Sequence, residues 1–376
     1  MKLMTERERI LNVYRGTVPD RVPFMLDLSH WFYHRRHRAW DLSCAYERPE
    51  TELIDYHKQV GAGFYLPNLG QFFSTHYATD IETETVRQEV SGTPEITWRI
   101  KTPLGAIERR RRWEEQTYAW GISQWGVRTP QDLRVFGDAL SHRSFAPEWD
   151  KYRAWTDAVG DLGVVYLPAG YSAIGQLMNY WMGPEEVIYA TMDCPELLHE
   201  VVDAVNDNNL ELIDLLAQSP ADVIIMGDNF SSDMQPPSFF KEWAESYYVE
   251  AVRRLHAAGK HVAVHIDGRL RGALRMIRDT GADCGDAITP TPMGDLSPAE
   301  CRAEAGPDFI LSGGVSPDLW LPNVPVDVFK ANVREWLELR HDSPRLIANA
   351  GDQVPPCADE DRIRIMREIV EEEGTF

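Results

Sequence analysis

Eight short strand-like runs, spaced along the chain and separated by helix-like stretches, constrain this sequence more than any other feature. They fall at residues 21–28 (RVPFMLDL), 63–68 (GFYLPN), 162–170, 221–228, 261–267, 282–289, 308–315 and 345–352. Between and around them lie stretches of helical pattern at 50–60, 185–204, 239–258, 270–280, 298–305, 325–339 and 359–373. An opening helix starts at a capping box, Thr5 with Glu8, and ends near Gly16. Strands alternating with helices imply an α/β protein with a parallel sheet, and eight is the number that closes as a (β/α)8 TIM barrel. An open, doubly wound sheet is the alternative. At 376 residues, the whole of 1–376 fits a single barrel domain with one insertion.

The insertion is read at about residues 80–150, after the second strand, where the rhythm breaks. Runs at 85–90, 95–100 and 107–113 flank the turn signals Ser91-Gly92-Thr93-Pro94 and Pro103 to Gly105, as antiparallel β-hairpins do. Arg109 to Arg112, with tryptophans nearby, read as a solvated strand face or a carboxylate or phosphate contact. A nucleic-acid surface is disfavoured, because the chain has 59 acidic residues against 38 basic ones and a net charge of −21. Membrane binding is disfavoured on the same ground. The five cysteines are odd in number and never form C-x-x-C, which points away from a disulfide framework and towards a reducing cytoplasm. The N-terminus lacks the apolar core of a signal peptide. Neither G-x-G-x-x-G nor G-x-x-x-x-G-K occurs.

In a barrel the C-terminal strand ends converge on one mouth, so the polar residues at those ends form a spatial set. In chain order they are Asp27 and His30, Asn68, Tyr171, Asp228 and Asn229, His265 and Asp267, Asp286, Ser312, and Asn349 and Asp352. Within HVAVHIDG, a period of two puts His265 and Asp267 on one side of a buried strand, an arrangement that is costly without a partner. Several carboxylates at one mouth repel one another unless a cation or a basic substrate lies among them. A divalent metal held by His265, Asp267 and Asp352 is the sharpest form of that idea, with Cys357 a rival for the last ligand. The same carboxylates could instead serve as acids, bases or cation-binding groups. Asp27, Asp228 and Asn229 are the candidates for catalysis, and His30, Asn68, Tyr171, Ser312 and Asn349 for substrate binding. Trp31, Phe32, Tyr33, Phe72, Phe73, Tyr171 and Trp181 near the mouth and flap suit an aromatic ring or pack as core.

Six segments, in their order and spacing, resemble the superfamily of uroporphyrinogen decarboxylases and corrinoid-dependent methyltransferases. They are MTERERILNVYRGTVPDRVPF, KTPLGAIERRRRW, YSAIGQLMNYWMGPEEVIYATMDCPELLHEVVDAV, HVAVHIDG, LSGGVSP and NAGDQVPPCADEDRI. The resemblance implies a (β/α)8 barrel with its site at the C-terminal mouth. Porphyrin decarboxylases carry an R-Q-A-G-R type segment after the first strand, where this chain has Leu28-Ser29-His30-Trp31. The methyltransferase branch holds zinc on a His-x-Cys pair and on a cysteine in a G-C segment before Pro-Pro. The matching positions here are His265, Asp267 and Asp352, so carboxylates stand where that branch has thiolates. The resemblance therefore implies a methyltransferase-like enzyme with a divalent metal, zinc or a harder ion. An oxygen-rich site suits an oxygen leaving group, hence O-demethylation of a methoxylated compound. No D-x-H-x-x-G corrinoid signature occurs, so cobalamin is expected on a separate corrinoid protein. The competing expectation is a metal-free decarboxylase or lyase acting on a small carboxylate through Asp27 or Asp228. A homodimer is left open.

Overall fold

The computed structural model describes residues 3–37, 47–66 and 72–376, and all eight expected strands are present within them. They are β1 (Met25–Leu26), β2 (Gly63–Leu66), β3 (Gly163–Val165, resuming after Tyr166 as Leu167–Gly170), β4 (Val223–Phe230), β5 (His261–Ile266), β6 (Cys284–Ile288), β7 (Ile310–Val315) and β8 (Leu346–Ala350). Each pairs in parallel with the next. β8 returns to the first strand through a parallel bridge between Phe24 and Ala348, where the Ala348 N–H donates to the Pro23 carbonyl at 2.9 Å. The ring is thus a (β/α)8 barrel with a thin seam, not an open doubly wound sheet.

Alternation along the strands decides what fills the barrel. The inward positions Met25, Tyr65, Val164, Tyr166, Val223, Ile225, Ala263, Cys284, Ile310 and Ile347 form one buried cluster with Ile10, Leu11, Val13 and Tyr14. Those last four belong to the helix Glu6–Arg15, which plugs the N-terminal end. Its start is the expected capping box: Glu8 N–H donates to Thr5 Oγ1 at 3.1 Å, and Thr5 N–H to Glu8 Oε2 at 2.7 Å. The outward faces of the strands pack on the surrounding helices in a second, larger core.

Two helices expected to be continuous are broken. The 185–204 stretch is divided into Pro184–Asp193 and Pro195–Ala217, because Pro195 has no N–H to continue the ladder. The 239–258 stretch is divided into Pro237–Trp243 and Glu245–Ala257 at Ala244, whose φ of −133° leaves the helical region. No helix among the described residues is long and apolar enough to cross a membrane.

The insertion is larger than its hairpin signals indicate. Phe73–Tyr77 and Arg143–Pro147 pair antiparallel as a neck, and between them lies a four-stranded antiparallel sheet of Glu82–Val90, Thr93–Thr102, Gly105–Glu114 and Ala119–Gln124. The turn read at Ser91-Gly92 has φ of 53° and 76°, the left-handed pair that a two-residue hairpin requires. A helix, Pro130–Ser141, follows the sheet and had no separate expectation. It packs on Pro195–Ala217, where a Cβ on Gly137 would stand 2.9 Å from Val201 Cγ2. The flap is tied to the barrel where the Gly126 and Val127 N–H groups both donate to the Trp181 carbonyl at 2.8 Å.

The β2–β3 ladder offers a test of the barrel spacing. A Cβ at Gly163 would lie 2.2 Å from the Phe64 carbonyl oxygen, which is backbone and cannot swing away. Gly163→Ala should destabilise the protein by about 1–3 kcal/mol, the usual cost of overpacking. Thermal unfolding measures it, and an unchanged midpoint would contradict the close approach of these two strands.

Candidate active site

Above the apolar floor, the inward positions turn polar. His265 continues the line of Ala263, Asp286 that of Cys284, Ser312 that of Ile310, Asn349 that of Ile347, and Asp27 that of Met25. Over this layer lies a cavity of about 270 Å³ at the C-terminal mouth. The barrel contributes Asp27, Tyr65, Asn229, His265, Asp267 and Ala287 to its walls, with Asp352 and Gln353 from the segment after β8. Tyr171, Asn179 and Tyr180 come from the segment after β3, and Arg111 comes down from the flap.

The acidic side of the cavity is crowded. Burial pushes the Asp352 carboxyl up to about 6, and the Asp267 charge adds to that against the opposing effect of His265. Asp27 is 2% exposed and its pKa is raised by burial. Its Oδ1 accepts from Ser29 N–H at 2.9 Å and Ser29 Oγ at 2.6 Å, whereas Oδ2 is buried and, among the described residues, accepts no hydrogen bond of good geometry, with the Gln353 amide nearby. Asp286, paired in register with His265, is fully buried and its pKa is raised by burial; it accepts from the Tyr65 hydroxyl and from Ser312 Oγ at 2.8 Å. His265, Asp267 and Asp352 therefore share one cavity and a hard donor set of one imidazole and two carboxylates. Among the described residues, however, no three His, Cys, Asp or Glu side chains are already gathered at ligating distance. The donor chemistry suits a divalent ion, and the three side chains would have to close on it.

Asp228 lies behind the wall rather than in it. It is 1% exposed, and it accepts from Ser172 N–H at 2.8 Å and from the Ser172 hydroxyl, with Tyr248 and Gln235 also facing it. A Cβ at Gly175 would meet this carboxylate at 2.2 Å, so position 175 can carry no side chain without moving it. Its backbone carbonyl accepts from Asn179 Nδ2 at 3.0 Å. Its neighbour Asn229 has φ of 51°, an uncommon conformation for a non-glycine residue, and its Oδ1 accepts from the Tyr171 hydroxyl at 3.0 Å.

The remaining sequence candidates are dispersed. His30 Nε2 lies 2.7 Å from the Tyr118 carbonyl, tying the helix Ser29–Arg35 to the flap, and burial lowers its pKa. Ser312 supports Asp286. Asn349 Oδ1 accepts from the Ala350 N–H at 2.8 Å, and its buried Nδ2 has no hydrogen-bond partner among the described residues. Cys357 is exposed beside a separate surface cavity with His34 and Asp359, away from His265. Asn68 lies outside the described residues. Of the aromatic set, Trp31, Phe32, Tyr33, Phe72, Phe73 and Trp181 are buried core, and only Tyr171 lines the cavity.

Sequence reasoning missed Tyr65, Asn179, Tyr180 and Gln353, and it read Arg111 only within the run Arg109 to Arg112, as a solvated face or a carboxylate or phosphate contact, without placing it at the mouth. Tyr65 and Arg111 were accessible through strand alternation. Asn179 and Tyr180 were not, because they lie on a π-helical turn, Leu177–Trp181, whose widening has no mark in the sequence.

Burial pushes Asp228 up to about 6 from its ordinary 3.8, so the folded protein keeps a proton that the unfolded chain releases between about pH 4 and 6. The stability associated with this group is fully present below that window and is lost as pH rises through it. Asp228→Asn should therefore gain on the wild type between pH 4 and 7 and hold a constant difference above, in thermal unfolding followed against pH. A pH-independent difference would mean that Asp228 titrates normally.

The family model described as uroporphyrinogen decarboxylase (URO-D) matches residues 161–373, more than half of the chain. No curated protein matches. Among solved structures, a methyltransferase from Methanosarcina mazei is similar over 98% of this chain and 99% of its own, with 16% identity and a TM-score of 0.61, a likeness of fold. A type I 3-dehydroquinate dehydratase from Clostridium difficile (11% identity, 50% of this chain, 77% of that one, TM-score 0.27) overlaps too loosely to support any reading. The same holds for muconate lactonizing enzyme from Pseudomonas putida (12% identity, 78% and 77% covered, TM-score 0.25). With strand order, mouth cavity and family match in agreement, the chain belongs to the uroporphyrinogen decarboxylase (URO-D) family.

Proposed function

We propose that this chain is a methyltransferase that moves a methyl group between a small methoxylated substrate and cobalamin carried by a separate corrinoid protein. The observation that carries the reading is the oxygen-rich set around one cavity: His265 with Asp267 and Asp352, and Asp27 beside them. That surplus of negative charge calls for a cation. The URO-D family match and the fold likeness to a methyltransferase support the same reading. His265, Asp267 and Asp352 are the residues to hold a divalent ion, zinc or a harder one. Bound there, such an ion supplies Lewis-acid stabilisation of the oxygen from which the methyl departs.

The chain's own residues do the rest. Asn229, oriented by the Tyr171 hydroxyl, presents an amide to the substrate. Asp27, which lines the cavity with the Gln353 amide beside it, holds or gives a proton at the cavity wall. Asp228 acts as a positioning residue, through Ser172 and Asn179. Demethylation is the favoured direction because an oxygen donor set matches an alkoxide or phenoxide leaving group.

A second reading is a decarboxylase or lyase without metal, favoured by the buried, protonation-prone Asp27 acid alone. Two measurements separate the readings. Purified protein should carry about one divalent ion per chain, lost in both His265→Ala and Asp267→Ala. With a reduced corrinoid protein and a panel of methoxylated aromatics, the corrinoid absorbance should change with wild type and about 100-fold more slowly or not at all with either variant. Metal-free protein that retains full activity would sink the metal-assisted reading. Release of CO2 from a carboxylate substrate, with no corrinoid change, would establish the second.

A further inference from the structure

We infer that the flap carries an anion-binding pole, Arg111 with Arg109 behind it, and that the substrate is a small molecule bearing a carboxylate or phosphate at one end. This end is held against the flap while the other faces His265. The inference rests on reading the mouth cavity as the substrate site, and not on the reaction being methyl transfer.

Strand alternation separates the four consecutive arginines into two pairs. On the outer face of Gly105–Glu114, Arg110 Nε donates to Glu108 at 2.9 Å and Arg112 reaches the Val90 carbonyl at 3.4 Å. On the inner face, Arg109 and Arg111 follow the line of buried Ile107 towards Trp113. Here Arg111 enters the cavity wall. Glu108 is already engaged by Arg99 and Arg110, and among the described residues neither inner arginine has a carboxylate within ion-pair distance. The Nε of each is buried and, among the described residues, makes no hydrogen bond. Two uncompensated guanidinium groups so close repel: burial, and then the Arg111 charge, lower the Arg109 pKa to about 10.

Aromatic faces keep these groups in place despite that repulsion. The Arg109 guanidinium lies 4.3 Å from the Trp98 ring centroid, 4.9 Å from Trp181 and 5.2 Å from Tyr180, and the Arg111 guanidinium lies 5.2 Å from Tyr180. Their donors are therefore aimed before any ligand arrives. The acids do not quench them: among the described residues, neither Arg109 nor Arg111 forms an ion pair with Asp27, Asp267 or Asp352, although Arg111 lines the same cavity as all three. The cavity has two poles, cationic at the flap and acidic on the barrel. A planar guanidinium pairs with a carboxylate or phosphate through two parallel N–H donors. Such an anion removes the repulsion between the arginines, whereas a neutral ligand leaves it.

Isothermal titration calorimetry on the full chain, without corrinoid protein, tests this with three probes: 4-methoxybenzoate, 4-methoxyphenyl phosphate and methoxybenzene. At least one anion should bind about tenfold or more tightly than methoxybenzene, and its affinity should fall with added salt. Whichever anion binds better identifies the charged group. Arg111→Gln should remove that preference, and Arg110→Gln, on the outer face, should keep it. Circular dichroism establishes that both variants are folded. Equal binding of charged and neutral probes by wild type, or an undiminished preference in folded Arg111→Gln, overturns the inference. Anion binding without methyl transfer would count against the proposed reaction alone; methyl transfer from neutral ethers with no anion preference would count against this inference alone.

Discussion

Every inward position of a barrel strand is followed, two residues on, by another, and in five strands of this chain the change from apolar to polar falls between two consecutive inward positions. Met25 gives way to Asp27, Ala263 to His265, Cys284 to Asp286, Ile310 to Ser312 and Ile347 to Asn349. The lower layers, sealed by Tyr14 and its neighbours from the first helix, make a dry floor. Carboxylates set on that floor lose their water on one side, which is the common cause of the upward shifts at Asp27, Asp286 and Asp352. Tyr65 and Ser312 donate to Asp286 for the same reason: a fully buried acid needs its oxygens satisfied. The fold and the acidity of the site are thus one consequence of strand register.

That register is why so much was legible. Apolar runs ending in one polar residue locate a strand and its mouth end at once, and for His265, Asp267, Asp352, Asp27, Tyr171 and Asn229 the inference arrived at the cavity. It failed where the polar residue serves the scaffold. Ser312 and Asn349 are inward but spent on the scaffold, Ser312 donating to Asp286 and Asn349 accepting from the Ala350 N–H, and His30 reaches outward to the Tyr118 carbonyl. Asp228 breaks the rule differently. β4 shifts register between Gly227 and Phe230, so Asn229 faces the cavity and Asp228 turns back to Ser172. A bulge of this kind depends on contacts from β3 and its following turn, which are remote in sequence.

The flap was legible as strands and not as part of the site. Its alternating face was visible at Arg109 to Arg112, yet nothing in the sequence says that a hairpin sheet folds back over the barrel rather than away from it. The tie is the Trp181 carbonyl, which accepts two flap N–H groups from the end of the π-helical turn. The same turn delivers Asn179 and Tyr180 to the cavity, and Tyr180 is the ring under both inner arginines. One local widening of a helix therefore positions part of the wall and anchors the roof.

Between the two poles the wall is held unusually firmly. Asn229 keeps its left-handed backbone because Tyr171 holds its side chain, while the preceding carbonyl is taken by Asn179. Tyr171 in turn packs edge-on against Tyr180 at 4.8 Å between centroids. A wall so constrained cannot adapt much to ligands of different shape, so discrimination falls to the ends, where, among the described residues, Arg111 and the barrel carboxylates line one cavity without forming an ion pair. An occupant that satisfies one pole and leaves the other bare forfeits much of what the site offers. Selection by the distance between an anionic end and the group presented to His265 follows from that geometry.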